Sequence, residues 1–86
     1  MDEKQQLQSV IMELVRRRGS EKTICPSEAA RAFSDDNWRQ QMDAVRQAAS
    51  ELQAQNRIRI EQGGKRVELD DVSGPIRLRL REDTDE

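Results

Sequence analysis

Histidine and tyrosine are absent from this chain of 86 residues, and cysteine, tryptophan and phenylalanine occur once each. Without histidine, neither a histidine-dependent catalytic triad nor a zinc site of the Cys/His type can be assembled. A single cysteine also excludes an internal disulfide framework. These absences remove the commonest catalytic and metal-binding sets of side chains. We therefore expect a protein that is not an enzyme and that uses no cofactor or metal ion.

Long hydrophobic runs are missing as well. Charged residues (37%) outnumber hydrophobic ones (34%), and no segment approaches the roughly 18 apolar residues that a membrane span requires. The first residues, 1–4 (MDEK), lack the apolar core of a secretory signal. One cysteine without an export signal is typical of the reducing cytoplasm. We predict a cytoplasmic protein with no membrane partner.

The charge is distributed unevenly along the chain. The net charge is −2, yet residues 57–81 carry seven Lys/Arg against four Asp/Glu, and residues 82–86 carry four acidic side chains and no basic one. So polar a segment cannot bury enough apolar surface to become ordered. We predict a single folded domain over residues 1–81 and a disordered acidic tail over 82–86. The negative total is then a weak argument against a polyanionic partner.

The apolar spacing predicts three helices in the first two thirds of the chain. The first runs over residues 3–18 and ends at Gly19, which is suited to a helix C-terminus. A short β-favouring piece, 23–25, precedes Pro26, which suits the first position of a second, two-turn helix. The polar cluster 34–37 then starts a third helix. Its apolar stripe consists of Trp38, Met42, Val45, Ala49 and Leu52, and Asn56 is a good left-handed residue to end it.

After Asn56 the apolar period changes from 3.6 to 2. Ile58 and Ile60 predict one strand, Gly63-Gly64 a two-residue hairpin turn, and Val67 with Leu69 the returning strand. Residues 70–75 interrupt the alternation. Residues 76–80 predict one more strand, which either extends the hairpin or returns after a long loop, and the pattern does not distinguish the two.

The order of helix, short strand, helix, longer helix and hairpin predicts an α+β fold of the winged helix-turn-helix class. In this arrangement the core combines the stripes of the first and third helices with the inward side of the sheet.

Four stretches carry a resemblance to a known family: 22–32 (KTICPSEAARA), 38–39 (WR) with Met42 and Arg46, 58–60 (IRI) with Gln62 and Gly64, and 74–80 (GPIRLRL). Together they resemble a family of small bacterial domains without an assigned function, and the resemblance covers nearly the whole chain up to about Leu80. The family looks like a winged-helix fold, so the resemblance implies the same class. Asn56 departs from the pattern, which more usually has Gly there. Because the family has no established activity, it implies no site residue.

The third helix is the candidate recognition helix. Its side opposite the apolar stripe predicts a DNA-contacting set, since Arg and Gln can pair with guanine and adenine edges in the major groove. Asp35 and Asp36 at its start oppose this because they repel phosphates, and a solvated helix face of mixed charge explains the same pattern. The predicted set is Arg39, Gln40, Arg46 and Gln47.

The basic strands are the second candidate, as a ribbon that holds phosphates. Arginines on an outer strand equally protect a sheet edge from pairing with another chain. The predicted phosphate contacts are Lys65, Arg66, Arg77, Arg79 and Arg81.

Two single residues have a structural and a functional interpretation. Cys25 precedes a helix N-terminus, a position that favours thiolate reactivity, but a small buried residue that ends a short strand is the simpler account. Trp38 could stack on a base, but its place on the apolar stripe favours a position in the core.

The leading functional hypothesis is binding of duplex DNA with low sequence preference, weakened by an acidic tail that competes for the basic surface. The alternative is a protein-interaction or dimerisation module on the same frame, without a nucleic-acid role. No nucleophile–base pair or metal-ligand cluster is visible, which argues against an enzyme.

Overall fold

The computed structural model describes residues 2–81, so the predicted acidic tail lies outside the described residues. A short strand lies between the first and the second of three helices, and three further strands follow the third helix. The elements are α1 (Glu3–Arg18), β1 (Thr23–Ile24), α2 (Pro26–Phe33), α3 (Trp38–Ala54), β2 (Ile58–Gln62), β3 (Lys65–Arg66), a 3₁₀ helix (Leu69–Asp71) and β4 (Arg77–Leu80).

The predicted boundaries at Gly19, Pro26 and Asn56 are confirmed, and Asp2, which was not predicted as a cap, stands at the start of the first helix. The Asp2 carboxylate accepts a hydrogen bond from the Gln5 N–H at 2.8 Å and caps α1. Gly19, at φ 87°, ends it. Pro26 occupies the first position of α2. Asn56 follows α3 with φ 63°, the left-handed conformation predicted for it.

The four strands form one antiparallel sheet in the order β1-β4-β2-β3. β4 pairs with β2 from Ile58↔Leu80 to Glu61↔Arg77 and with β1 at Ile24↔Leu78. The last strand, whose placement the sequence pattern did not decide, is therefore a return strand. It follows a long loop and lies between β1 and β2. We call residues 63–76, which connect β2 to β4, the wing.

The second strand of the predicted hairpin is much shorter than expected. Gly63 and Gly64 adopt φ 63° and 83° and form the predicted tight turn. Lys65 and Arg66 then pair with β2, and the Val67 N–H still donates to the Ile60 carbonyl oxygen at 2.9 Å. The predicted continuation to Leu69 is wrong, because a 3₁₀ helix begins there. β4 lies along the opposite edge of β2, so it does not displace this segment. Strand pairing stops because the Gln53 side-chain amide takes the next hydrogen bonds, from the Ile60 N–H and to the Val67 carbonyl oxygen.

The hydrophobic core lies between the helices and one face of the sheet. It is formed by fully buried side chains from all three helices and from β1, β2 and β4. Its largest members are Leu7, Ile11, Val15, Ile24, Val45, Leu52, Ile58, Ile60, Ile76 and Leu78. The helices and antiparallel sheet confirm the predicted α+β class, and their order is consistent with a winged helix-turn-helix arrangement. Within residues 2–81, no helix is both long and apolar enough to cross a membrane.

Candidate nucleic-acid interface

The face of α3 turned away from the core carries the predicted recognition residues. Val45, Ala49 and Leu52 are fully buried on the opposite side, so the helical period turns Arg39, Gln40 and Gln47 to solvent. Arg46, at the edge of this face, is half-buried. The four predicted residues therefore lie on one side of α3, with Arg46 less accessible than the sequence indicates.

The Trp38 side chain at the start of α3 contacts two guanidinium groups. The Cζ atoms of Arg31 and Arg39 lie 4.4 and 4.5 Å from its ring centroid, within the range of cation–π attraction. The ring is half-buried and packs against the core, as its place on the apolar stripe predicted. Arg39 is thus held against an aromatic ring, and Arg31 of α2 joins the same surface, although sequence reasoning did not select it.

Acidic side chains border this surface. Asp35 and Asp36 lie exposed in the turn before α3, and Asp43 is exposed in the middle of the helix. The helix face therefore presents mixed charge, as predicted. This arrangement weakens attraction to phosphates at the N-terminal end of α3.

Gln53, a residue missed by sequence reasoning, connects α3 to the wing. It is 3% exposed, and its Oε1 accepts a hydrogen bond from the Ile60 N–H at 2.7 Å, while its Nε2 donates to the Val67 carbonyl oxygen at 3.0 Å. The amide thereby bridges the two sides of the hairpin base. A polar residue beside Leu52 at the edge of the apolar stripe was the only available signal.

The wing folds back towards α3. The Gln62 Nε2 donates to the carbonyl oxygens of Ser73 (2.8 Å) and Pro75 (3.0 Å). A groove of about 610 Å³ lies between the wing and the helices. Its lining includes Cys25, Met42, Asp43, Arg46 and Val72.

Cys25 is half-buried, so the prediction of a buried residue is wrong in degree. It follows β1, which ends at Ile24, and stands at the N-cap position of α2, and its side chain lines the groove beside the wing. The Ser27 hydroxyl donates to its Sγ at 3.3 Å. Among residues 2–81, no group of three or more His, Cys, Asp or Glu side chains could hold a metal ion.

The outer face of the sheet carries most of the predicted strand arginines. Arg59 of β2 and Arg79 of β4 lie directly opposite each other, and Glu61 lies on the same face at 5% exposure. The Arg79 Nε donates to Glu61 Oε2 at 2.9 Å, and the Arg59 Nε lies 3.4 Å from the same oxygen. One buried carboxylate therefore holds two arginines.

Two further arginines lie near Arg59 and Arg79 on this side of the sheet. Arg77 donates from Nε to Thr23 Oγ1 at 2.9 Å, and Arg66 pairs with Glu68 at 3.0 Å. An open groove of about 830 Å³ runs over the same region. We call it the arginine groove, and its lining is Ser20, Glu21, Arg59, Arg66, Arg79, Leu80 and Arg81.

The predicted site residues thus divide between two surfaces. Arg39, Gln40, Arg46 and Gln47 lie on α3, whereas Arg66, Arg77, Arg79 and Arg81 belong to the outer face of the sheet or its margin. The groove beside α3 and the arginine groove share no lining residue. Lys65, exposed in β3, pairs with Gln62 and lies beside the Gly63-Gly64 turn of the wing.

The architecture and its surfaces define a small α+β domain with a helix that is exposed on one face, a wing and a basic sheet face. The chain belongs to the family described as "Protein of unknown function (DUF3253)", whose model matches residues 4–81. This confirms the resemblance to a small domain family without an assigned function. No curated protein matches the sequence.

Proposed function

We propose that this protein is a winged-helix domain that binds duplex DNA with low sequence preference, and that its role is binding and not catalysis. α3 enters the major groove through Arg39, Gln40, Arg46 and Gln47, and Lys65 of the wing contacts the backbone. The observation that carries the proposal is the uncovered polar face of α3 beside the wing. A helix of this kind that follows a shorter helix is the element that reads DNA in helix-turn-helix proteins.

The charges on α3 account for the low preference. Arg and Gln can recognise base edges, but Asp35, Asp36 and Asp43 lie close to the same surface and reduce the attraction for phosphates. Arg39 must also leave Trp38, or take the ring with it, to reach a base. Both effects lower affinity, and we expect the weak, salt-sensitive binding typical of non-specific contacts.

The direct test is a fluorescence-anisotropy titration of random-sequence duplex DNA at low and moderate salt. We expect binding that weakens steeply as salt rises, because each phosphate contact releases about one counterion. Arg39→Glu combined with Arg46→Glu should reduce affinity by at least about tenfold, since two favourable charge contacts become repulsive.

The matched control is Arg16→Glu combined with Arg17→Glu, which makes the same charge change on exposed positions of α1. It should weaken binding much less than the α3 variant. Equal losses would show that net charge and not α3 governs binding. If no binding is seen at tens of micromolar protein in low salt, the affinity is weaker than ordinary non-specific binding. That result would exclude the proposal.

A protein-interaction or dimerisation module is the second candidate, and the groove beside the wing favours it. Met42, Val72, Pro75 and Ile76 contribute apolar side chains to its lining. Protein interfaces combine an apolar centre of this kind with a polar rim, which the neighbouring face of α3 could supply. Sedimentation velocity over a range of concentrations tests self-association. A mass that rises with concentration and falls on Met42→Glu would support this candidate, and a constant monomer mass would exclude dimerisation.

A further inference from the structure

The outer face of the sheet keeps a surplus of positive charge that the fold does not require. Arg59 and Arg79 are direct cross-strand neighbours, a placement that destabilises a sheet when the charges are alike. Glu61 offsets this repulsion, but its single negative charge is shared between the two guanidinium groups. The lining of the arginine groove adds Arg66, which pairs with Glu68 at 3.0 Å, and Arg81, with Glu21 as the acid of the lining.

The arginines of the groove are partly held in place. Arg79 donates to Glu61 Oε2 and also, from Nη1, to the Ser20 carbonyl oxygen at 2.9 Å. Its side chain is 30% exposed, so part of the guanidinium remains open to the groove. Anchored arginines lose less conformational freedom when they bind a ligand.

Arg59 still has hydrogen-bonding capacity. Its Nε is buried and has no hydrogen-bond partner in the described residues, because the 3.4 Å approach to Glu61 does not make a good hydrogen bond. The side chain is 38% exposed. A buried donor without a partner is costly, and an anion that draws this guanidinium into a new arrangement would relieve that cost.

We propose that the arginine groove is a binding site for phosphate groups, separate from α3 and formed by Arg59, Arg66, Arg79 and Arg81. Planar guanidinium groups match the oxygens of a phosphate in two-pronged hydrogen bonds. The groove is open, and its volume of about 830 Å³ leaves room for a phosphate-bearing ligand. No aromatic ring lines it, so the site recognises phosphate and not a stacked base. The phosphates belong either to a nucleic-acid backbone or to a small phosphorylated compound.

The site can be tested on the full chain by NMR titration with inorganic pyrophosphate at constant ionic strength. We expect saturable shifts of the Arg59 and Arg79 Nε–Hε signals and of the β2 and β4 amides, with α3 unaffected. Arg59→Gln combined with Arg66→Gln should weaken this binding by about tenfold or more. These two positions are chosen because Arg79 also supports Ser20 and Glu61.

Arg16→Gln combined with Arg17→Gln makes the same charge change on α1 and should leave pyrophosphate affinity within about twofold, since exposed charges at a distance are screened. The circular dichroism spectrum checks that each variant is folded. Absence of saturable shifts, or an equal loss of affinity in the control, would overturn the proposal.

Two further titrations distinguish the sources of phosphate. If single- or double-stranded DNA of random sequence displaces pyrophosphate and shifts the same signals, the groove holds a nucleic-acid backbone. If a nucleoside diphosphate displaces it and DNA does not, the ligand is a small phosphorylated compound. Both results support the site. Because Arg39→Glu with Arg46→Glu leaves this groove intact, failure of DNA binding by α3 and failure of the phosphate site remain distinguishable.

Discussion

At the scale of single residues, two buried polar side chains organise the two candidate surfaces. Within residues 2–81, Gln53 and Glu61 are the buried polar or charged residues. Gln53 bridges Ile60 and Val67 and attaches the wing to α3, while Glu61 holds Arg59 and Arg79 on the outer face. A buried polar group is retained at little cost only where its partners are complete. Each residue therefore fixes local geometry that neither helix nor strand propensity would produce.

Gln53→Ala should lower the free energy of unfolding by about 1–3 kcal/mol, because the buried Ile60 N–H and Val67 carbonyl lose their partner. Gln47→Ala, an exposed substitution on the same helix, should change it by less than about 0.5 kcal/mol. Urea denaturation measures both. Faster hydrogen exchange at the Ile60 amide should accompany the loss in Gln53→Ala. A cost no greater than that of Gln47→Ala would contradict the bridging role.

At the scale of elements, the start of α2 is tied to the end of α1. The Glu28 carboxylate accepts the Cys25 backbone N–H at 3.0 Å and pairs with Arg18 at 2.8 Å. Arg18 also donates to the Thr23 carbonyl oxygen at 3.0 Å. A helix of only eight residues is marginal by itself, so this junction supports the α2 position against which α3 packs.

Glu28→Ala should lower the free energy of unfolding by about 1 kcal/mol, because α2 loses a capping acceptor and a charge at its N-terminus. Glu21→Ala removes an acid from an exposed position nearby and should have a much smaller effect. Thermal denaturation at neutral pH compares them. Equal losses of stability in the two variants would contradict the capping role of Glu28.

At the scale of the whole molecule, the fold separates charge into distinct surfaces. The polar face of α3 is mixed, the outer face of the sheet is basic, and the sequence after Arg81 is acidic in four of five positions. Electrostatic attraction to a polyanion therefore depends on which surface the partner meets. Net charge alone, which is −2 for the chain, does not describe it.

Ending the chain at Arg81 should strengthen binding of DNA and of pyrophosphate severalfold, because removal of residues 82–86 changes the net charge from −2 to +2. The difference between the two forms should diminish at high salt, where the Debye length falls to about 3 Å at 1 M. Anisotropy and NMR titrations of both forms measure it. Equal affinities at low salt would show that the acidic residues do not compete for the basic surfaces.

The sequence by itself determined the elements that depend on neighbouring residues. The apolar spacing predicted the three helices, together with the residues that begin or end a helix, Gly19, Pro26 and Asn56. Gly63-Gly64 predicted the turn after β2. These signals are local, since each reflects the dihedral preference or the periodicity of a short stretch. The α+β class followed from their order.

Tertiary structure alone decided the position of β4, the short length of β3 and the division of the arginines between surfaces. Strand pairing depends on which segments, far apart in the chain, the fold brings together. The alternation of apolar and polar residues is the same for a strand at the edge of a sheet and for one at its centre. Gln53 and Glu61 acquired their roles in the same way. A buried polar side chain stabilises the fold through its hydrogen-bond partners, and only the folded chain brings those partners within hydrogen-bonding distance.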